Sequence, residues 1–424
     1  MSTKKSPDAQ AWIKKVFSLY YRRYSELVEE PSDLTHREFA FTFFDRPGMS
    51  RHIVFSSAKE MREFLARNVP QHAYYSSAYY EYPDAERMEE KVWLGADLVF
   101  DIDVDHIATP CKAQHDTWHC PNCGASGWGF IESCPKCGNE NLKRKTWVCE
   151  TCISVARDEV IKLLDMLLED FGFSDSEMFV VFSGHRGFHV HVEGDAVRDL
   201  DQDARREIAD YVRGVGLEPE AFTVPGRRKN SLKMAAKPDD PGWYGRIARA
   251  VLDWVLSLDR ASAARVVRGR RVRSLLELSE RAREDPMNTD WIEDLELTRE
   301  EWSRLISLIA REEGVEIDER VTIDIKRLIR LPGTLHGKTG LRVISMSPHE
   351  VENIDVLEKA RVLSDEEVPI TIKSAPKRVL DIDLSNVSGK AKVPLYLSLY
   401  LVANGADVEL SREPYVAFVK GLVS

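Results

Sequence analysis

The chain is 424 residues long, 43% hydrophobic and 30% charged, with a formal net charge of −11 from 59 basic and 70 acidic side chains. That length allows two or three domains and a sizeable core, while the acidic balance disfavours a uniformly basic nucleic-acid binder. No run of 18 or more apolar residues occurs, and "MSTKKSPDAQAW" lacks a signal-type apolar segment, so neither a membrane span nor secretion is expected and the protein should be intracellular.

The first ~35 residues read as helical, with Trp12, Val16, Leu19 and Tyr20 at helix spacing. Strand-like "REFAFTFF" and "RHIVF" follow, then a helix opened by "SSAKEM", in which Ser57 can cap and Glu60 lies three residues on. "AYYSSAYYEYP" and "WLGADLVFDIDVD" read as extended. A cysteine-rich segment precedes the amphipathic helix "ISVARDEVIKLLDMLLEDFG", stopped by Gly172. "MFVVFSGHRGFHVHV" reads as strand, glycine turn, strand. From Asp199 to Glu313 the pattern is charged and helical, with a loop around "AAKPDDPGW". Strands return in "RVTIDIKRLIRLPGTLHGKTGLRVISM", and the tail holds short strands and a helix, "VPLYLSLYLVANG". The expectation is an α/β core interrupted by a zinc module and a helical insertion. The basic clusters "PGRRKNSLK" and "RVVRGRRVR" fall in that insertion and suit solvated helix faces.

Three stretches carry chemistry. In "LVFDIDVDHIATPC", Asp101, Asp103 and Asp105 alternate with Phe100, Ile102 and Val104, so a strand would place the carboxylates on one face. Like charges stacked there are unfavourable unless a cation lies between them; a solvated edge strand is the plainer alternative. "SGHRGFHVHV" sets Ser183, His185, Arg186 and His189 around two glycines, a turn suited to an anionic group such as phosphate. "TIDIKRLIRLPGTLHGKTG" offers Asp324, which ends or interrupts a strand, then Arg330, His336 and Lys338. "GTLHGKTG" is not a P-loop, because its glycine spacing is one residue short and the strand-like "LRVISM" follows where a helix is required.

All seven cysteines lie between Cys111 and Cys152, in a chain without a secretion signal, which favours metal ligation over disulfides. The inner set, C-x2-C-x10-C-x2-C from Cys120, Cys123, Cys134 and Cys137, with glycine after the second and fourth cysteines, supplies the four thiolates of a zinc ribbon. Cys111, Cys149 and Cys152 need one histidine to make a second site. His115 suits it better than His119, which adjoins Cys120, but both remain open. Neither set leaves an open position, so both zinc sites read as structural.

"LVFDIDVD", "SGHRGFHVHV" and "IDIKRLIRLPGTLHGKTG", in this order and with a cysteine/histidine segment just after the first, resemble the catalytic small subunit of archaeal and eukaryotic DNA primases, the archaeal form above all. The resemblance covers roughly residues 10–200 and 315–345. It implies a primase-type α/β core with an RRM-like mixed sheet over residues 1–198 and 311–424, a zinc-binding insertion over 109–153 and a helical insertion over 199–310. It implies synthesis of short RNA or DNA primers on single-stranded DNA from nucleoside triphosphates, with two Mg2+ or Mn2+ ions, and a heterodimer with a large primase subunit. It places Asp101, Asp103 and Asp324 as metal-binding carboxylates. Ser183, His185, Arg186 and His189 then fall in the nucleotide-binding turn, and Arg330, His336 and Lys338 at the triphosphate. The cellular setting implied is the archaeal cytoplasm, or the nucleus for a eukaryotic form. The inner ribbon looks like an insertion between the second and third ligands of the family's usual single zinc site. Asp105 is expected to be solvated. The competing functions are a related repair polymerase that extends ends and a non-catalytic zinc-ribbon nucleic-acid module.

Overall fold

A computed structural model describes residues 7–285 and 290–410. The chain divides into two compact units, the first Met1–Asp158, Asp175–Asp203 and Arg320–Ser424, the second Glu159–Ser174 and Ala204–Glu319.

The first unit carries two four-stranded antiparallel sheets, built from β1 (Phe39–Thr42), β2 (Met49–Ile53), β3 (His72–Ser76), β4 (Leu98–Asp103), β5 (Met178–Phe182), β6 (Gly187–Val192), β7 (Leu328–Arg330) and β8 (Ile344–Met346). Their orders are β7-β3-β1-β2 and β8-β5-β6-β4. Phe39, Phe41 and Tyr75 fill the first sheet's core, and Leu98, Phe100, Ile102, Phe188 and Val190 that of the second. This is the mixed α/β architecture expected, with the flanking helices Pro7–Arg23, Ala58–Asn68 and Leu395–Ala403 where helical spacing predicts them. Ser57 caps the helix Ala58–Asn68 through the Glu60 amide, 3.3 Å away. The Glu60 carboxylate, however, returns to the Ser56 amide at 2.8 Å, so the two residues do not form a reciprocal box.

Three local expectations give way. "WLGADLVFDIDVD" is two strands: Trp93–Ala96 pairs with Ala78–Tyr80 in a separate ribbon, and β4 starts after Asp97. Asp97 interrupts because its buried carboxylate is held by the Arg37 guanidinium and the Tyr79 hydroxyl, both at 2.6 Å. β4 then ends at Asp103, whose carboxylate accepts from the Asp105 amide (2.8 Å) and caps a 3-10 turn, Val104–His106. Asp105 therefore leaves the strand face, and its carboxylate, 42% exposed, pairs with Arg186. Finally, Glu319–Ile323 is a helical turn, and Asp324 sits in the bend after it, accepting from the Lys326 amide at 2.9 Å. A short polar side chain that bonds a backbone amide two residues on competes with the ladder, and the strand begins only at Leu328.

The second unit is mainly helical, with Gly242–Ser257, Arg270–Glu284 and Arg299–Glu313 its longest helices. It also holds a three-stranded sheet of Thr223–Pro225, Leu232–Met234 and Glu296–Leu297, strands too short to show periodicity in sequence. Part of its basic runs pairs locally: Lys233 meets Glu293 at 2.6 Å, and Arg273 meets Glu277 at 2.9 Å.

Candidate functional site

β4 and β6 form one wall. Their register sets Asp101 opposite His189 and Asp103 opposite Gly187. The carboxylates and the imidazole therefore share the face turned away from buried Phe100, Ile102, Phe188 and Val190. His189 Nε2 lies 3.6 Å from Asp101 Oδ1, and its Nδ1 is buried without a partner. A Cβ on Gly187 would stand 2.3 Å from the Ile102 carbonyl oxygen. The close approach of β6 to the aspartate strand thus depends on glycine at that position.

Two loops close over this wall. The 183–187 turn is tied by the Ser183 amide to the Gly187 carbonyl (3.0 Å), and Gly184 adopts φ +75°. The loop after β7 packs on it: Thr339 Oγ1 donates to the Gly184 carbonyl at 2.6 Å, and the rings of His185 and His336 stack with centroids 5.1 Å apart. The helix Pro7–Arg23 braces the second loop. Tyr20 Oη donates to the Gly333 carbonyl (2.7 Å), and Tyr21 Oη accepts from the Leu335 amide (3.2 Å). Arg330 lies over the Tyr74 ring (4.8 Å), with Nη1 2.6 Å from His72 Nδ1. Lys338 is exposed beside them.

Electrostatically, the site is poised for an anion. Burial, opposed by the Asp103 charge and aided by Lys338 and Arg330, pushes the His185 imidazole down to about 4. Burial, with Arg330 next, pushes His189 to about 4, and His336 goes well below its ordinary value for the same two causes. These imidazoles are neutral at pH 7, and His185 Nε2 has no partner. An arriving polyanion would supply both the missing hydrogen bonds and the charge that favours their protonation.

The structure gathers Ser183, His185, His189, His336 and Arg330 around the Asp101/Asp103 wall. It does not gather Asp324 as tightly. Among the described residues, the groups of three or more metal-ligating side chains with donor atoms within 4.8 Å of one another are both built on cysteine. Asp324 lies within electrostatic reach of Arg51 and Tyr80.

Those two groups are Cys111, His115, Cys149, Cys152 and Cys120, Cys123, Cys134, Cys137. The outer set takes His115; His119 lies on the strand Thr117–His119 of the ribbon. In the inner set Gly124 and Gly138, at φ +72° and +71°, turn the chain after each cysteine pair. Both sets are thiolate-rich, closed and tetrahedral in number, and are able to hold zinc. The outer one leads back to the Asp101/Asp103 wall. His115 Nδ1 bonds Asp116 Oδ1 at 2.7 Å, leaving Nε2 toward the thiols, and Asp116 Oδ2 takes Arg186 Nη1 at 2.7 Å. Arg186, 1% exposed, also pairs with Asp105. Its guanidinium is committed to these two carboxylates, which brace the SGHRG turn against the outer cluster.

The sequence of this chain matches the family described as DNA primase small subunit over residues 138–348. It is 36% identical over 417 residues to the DNA primase small subunit PriS of Methanothrix thermoacetophila, covering 93% of this chain and 97% of that relative. The chain belongs to the DNA primase small subunit family. PriS of Methanococcoides burtonii is 32% identical over 422 residues (93% of this chain, 97% of the relative), and PriS of Cenarchaeum symbiosum 32% over 395 residues (93% and 96%). The primase small subunit described here is thus a catalytic subunit of archaeal type, a DNA-directed nucleotidyltransferase of DNA replication that makes primers. Among its described residues no helix is long and apolar enough to cross a membrane.

Four contributors to the primase site escaped the motif reading. His72 binds Arg330 and also accepts from the Gly337 amide at 3.2 Å. Asp116 is the link to the outer cluster, and Tyr20 and Tyr21 brace the loop. Only Asp116 left a trace in sequence, as a carboxylate beside a candidate ligand histidine.

Proposed function

We propose that this primase subunit starts short RNA or DNA primers on single-stranded DNA by two-metal nucleotidyl transfer, in a heterodimer with a large primase subunit in the archaeal cytoplasm. The observation that carries the reading is the pair Asp101 and Asp103 on one strand face, with the stacked His185–His336 loops beside it. In this reading the catalytic core spans residues 1–198 and 311–424 around an RRM-like sheet, with the zinc insertion at 109–153 and a helical insertion at 199–310.

Asp101 and Asp103 would hold the catalytic Mg2+ or Mn2+, with Asp324 completing the oxygen set from its turn; hard cations of this kind prefer carboxylate and water oxygen. Ions held there would supply a lowered pKa for the attacking 3′-hydroxyl and charge neutralisation for the leaving pyrophosphate. The chain's own side chains do the rest. Arg330, His336 and Lys338 hold the triphosphate, and Ser183, His185 and His189 line the turn against it. Arg186 keeps that turn in place from beneath. Zinc in both cysteine clusters fixes the 111–152 segment.

The test is synthesis by purified protein on unprimed single-stranded DNA, with each nucleotide class and with each metal. Product from unprimed template supports the reading. Extension of primed ends alone would replace it with a repair polymerase, and full activity of Asp101→Asn would abolish the catalytic assignment.

A further inference from the structure

The zinc ribbon's small sheet pairs Thr117 with Trp128 and Lys145, Trp118 with Gly127 and Arg144, and His119 with Ser126 and Lys143. Side chains alternate across such a sheet. Trp118 belongs to one face: it is buried in a core with Cys120, Cys134 and Leu142, and its ring lies so close over Gly127 that a Cβ there would come within 2.8 Å. The other face carries Thr117, His119, Ser126, Trp128, Lys143 and Lys145. It opens on a cleft of about 860 Å3 whose far side is formed by Lys338 and the Ala403–Gly405 segment.

Two properties of this cleft set it apart. No aspartate or glutamate lines it, in a chain with 70 acidic residues. The basic runs of the second unit, by contrast, meet carboxylates beside them. And Trp128 presents a half-exposed indole (50%) from an edge strand, on the same face as Lys143 and Lys145. Lys145 Nζ is turned to the Gly405 carbonyl, while Lys143 projects freely into solvent. A protein partner would call for a broader apolar patch; the second exposed ring nearby, Phe130, stands instead beside the cations Lys112 and Arg144 at 4.9 and 5.2 Å. Cations with no carboxylate among the lining side chains, together with an open aromatic face, fit a flexible polyanion that carries its own flat rings.

We propose that this cleft is a track for single-stranded nucleic acid, on which the template runs from the ribbon face past Trp128 toward Lys338. That it is the template strand rests on the primase reading above; that it is a single strand rests on the cleft alone. Trp128 stacks a base, Lys143 meets a phosphate, and the inserted ribbon extends the catalytic site with a holding surface. The inner zinc cluster then serves binding indirectly, by fixing the sheet.

The experiment uses the full chain and a fluorescent oligo-dT, with anisotropy read across salt concentrations. Trp128→Ala is expected to weaken binding roughly five- to a hundredfold, and Trp128→Phe to keep most of it. Lys143→Ala should lower affinity and reduce the slope of log affinity against log salt by about one. Zinc content and nucleotide affinity without DNA should match the parent for all three. Parent-like oligo-dT binding by Trp128→Ala and Lys143→Ala overturns the proposal, and so does an equal loss for duplex DNA. Loss of zinc in Trp128→Ala with full binding by Trp128→Phe and Lys143→Ala also counts against it. Asp101→Asn separates the two readings: it should bind oligo-dT like the parent while making no product. Were it to synthesise normally, the catalytic assignment would fail and the binding track would stand.

Discussion

At the site, the triphosphate assignment makes the sharpest demand on single side chains. Arg330→Ala or His336→Ala removes one charge-assisted contact, which typically costs about 1.5–3 kcal/mol. Nucleotide affinity measured by titration should fall roughly ten- to a hundredfold, while Asp101→Asn abolishes synthesis yet retains most nucleotide binding. Parent-like affinity in both loop variants would remove the assignment. The buried histidines give a second prediction. Burial holds His185 down to about 4, and His191, which is stacked on Phe179 with both ring nitrogens unpartnered, well below its ordinary 6.5. Their stabilising effect is complete above pH 6.5. As the pH falls from about 6.5 toward 4, the unfolded chain takes up protons that the folded one refuses, and stability is lost. The urea midpoint of nucleotide-free protein should therefore be lower at pH 5 than at pH 7.5, and His191→Gln should flatten that difference. Much at this scale was readable beforehand. Strand alternation alone puts Asp101 and Asp103 on one face, and two glycines mark the turn. Arg186 read as a phosphate contact because sequence shows its charge but not its burial between Asp105 and Asp116. His72 was invisible, since its role comes from pairing β3 with a strand more than 250 residues away.

Among elements, the Asp116–Arg186 link joins the outer cluster to the β5–β6 turn. Arg186→Ala would strand two carboxylates, one of them buried, and removing one partner of a buried pair costs about 3–5 kcal/mol. A drop in the denaturation midpoint of that order is expected, with zinc content kept; an unchanged midpoint would show the link to be idle. The two clusters should also be separable. Elemental analysis is expected to find two zinc ions per chain, with Cys123→Ser losing the inner one and Cys149→Ser the outer one. A single ion unaffected by Cys149→Ser would remove the outer site. Elements set by local pattern, such as the β5–β6 hairpin and the Ser57-capped helix, were legible in sequence. Those set by a remote partner were not. Asp97 breaks the strand at residue 97 because Arg37 reaches it from 60 positions back.

Over the whole molecule, the distribution of charge matters more than its sum. A chain at −11 still keeps one cleft free of carboxylates, so template affinity of the isolated subunit should be modest and steeply salt-dependent, and the large subunit should add to it. Size exclusion of native extracts should show this chain migrating with a larger partner; elution alone would refute the heterodimer.

Both four-stranded sheets of the first unit share one dependence. β3 receives β7, and β5 receives β8, so each sheet is completed from the single stretch 328–346, and the two loops meet through a bond spanning 155 positions, Thr339 to Gly184. On the ribosome, the aspartate strand and its hairpin emerge long before the residues that finish them. The nascent chain must carry two open strand edges through the synthesis of the whole intervening helical unit. Contacts that remote fold slowly, and exposed edges invite wrong pairing. Birth order, rather than final stability, is then the vulnerable point of this enzyme: a chain cut short before residue 328 would hold Asp101, Asp103 and Asp324 and still leave each sheet without its last strand.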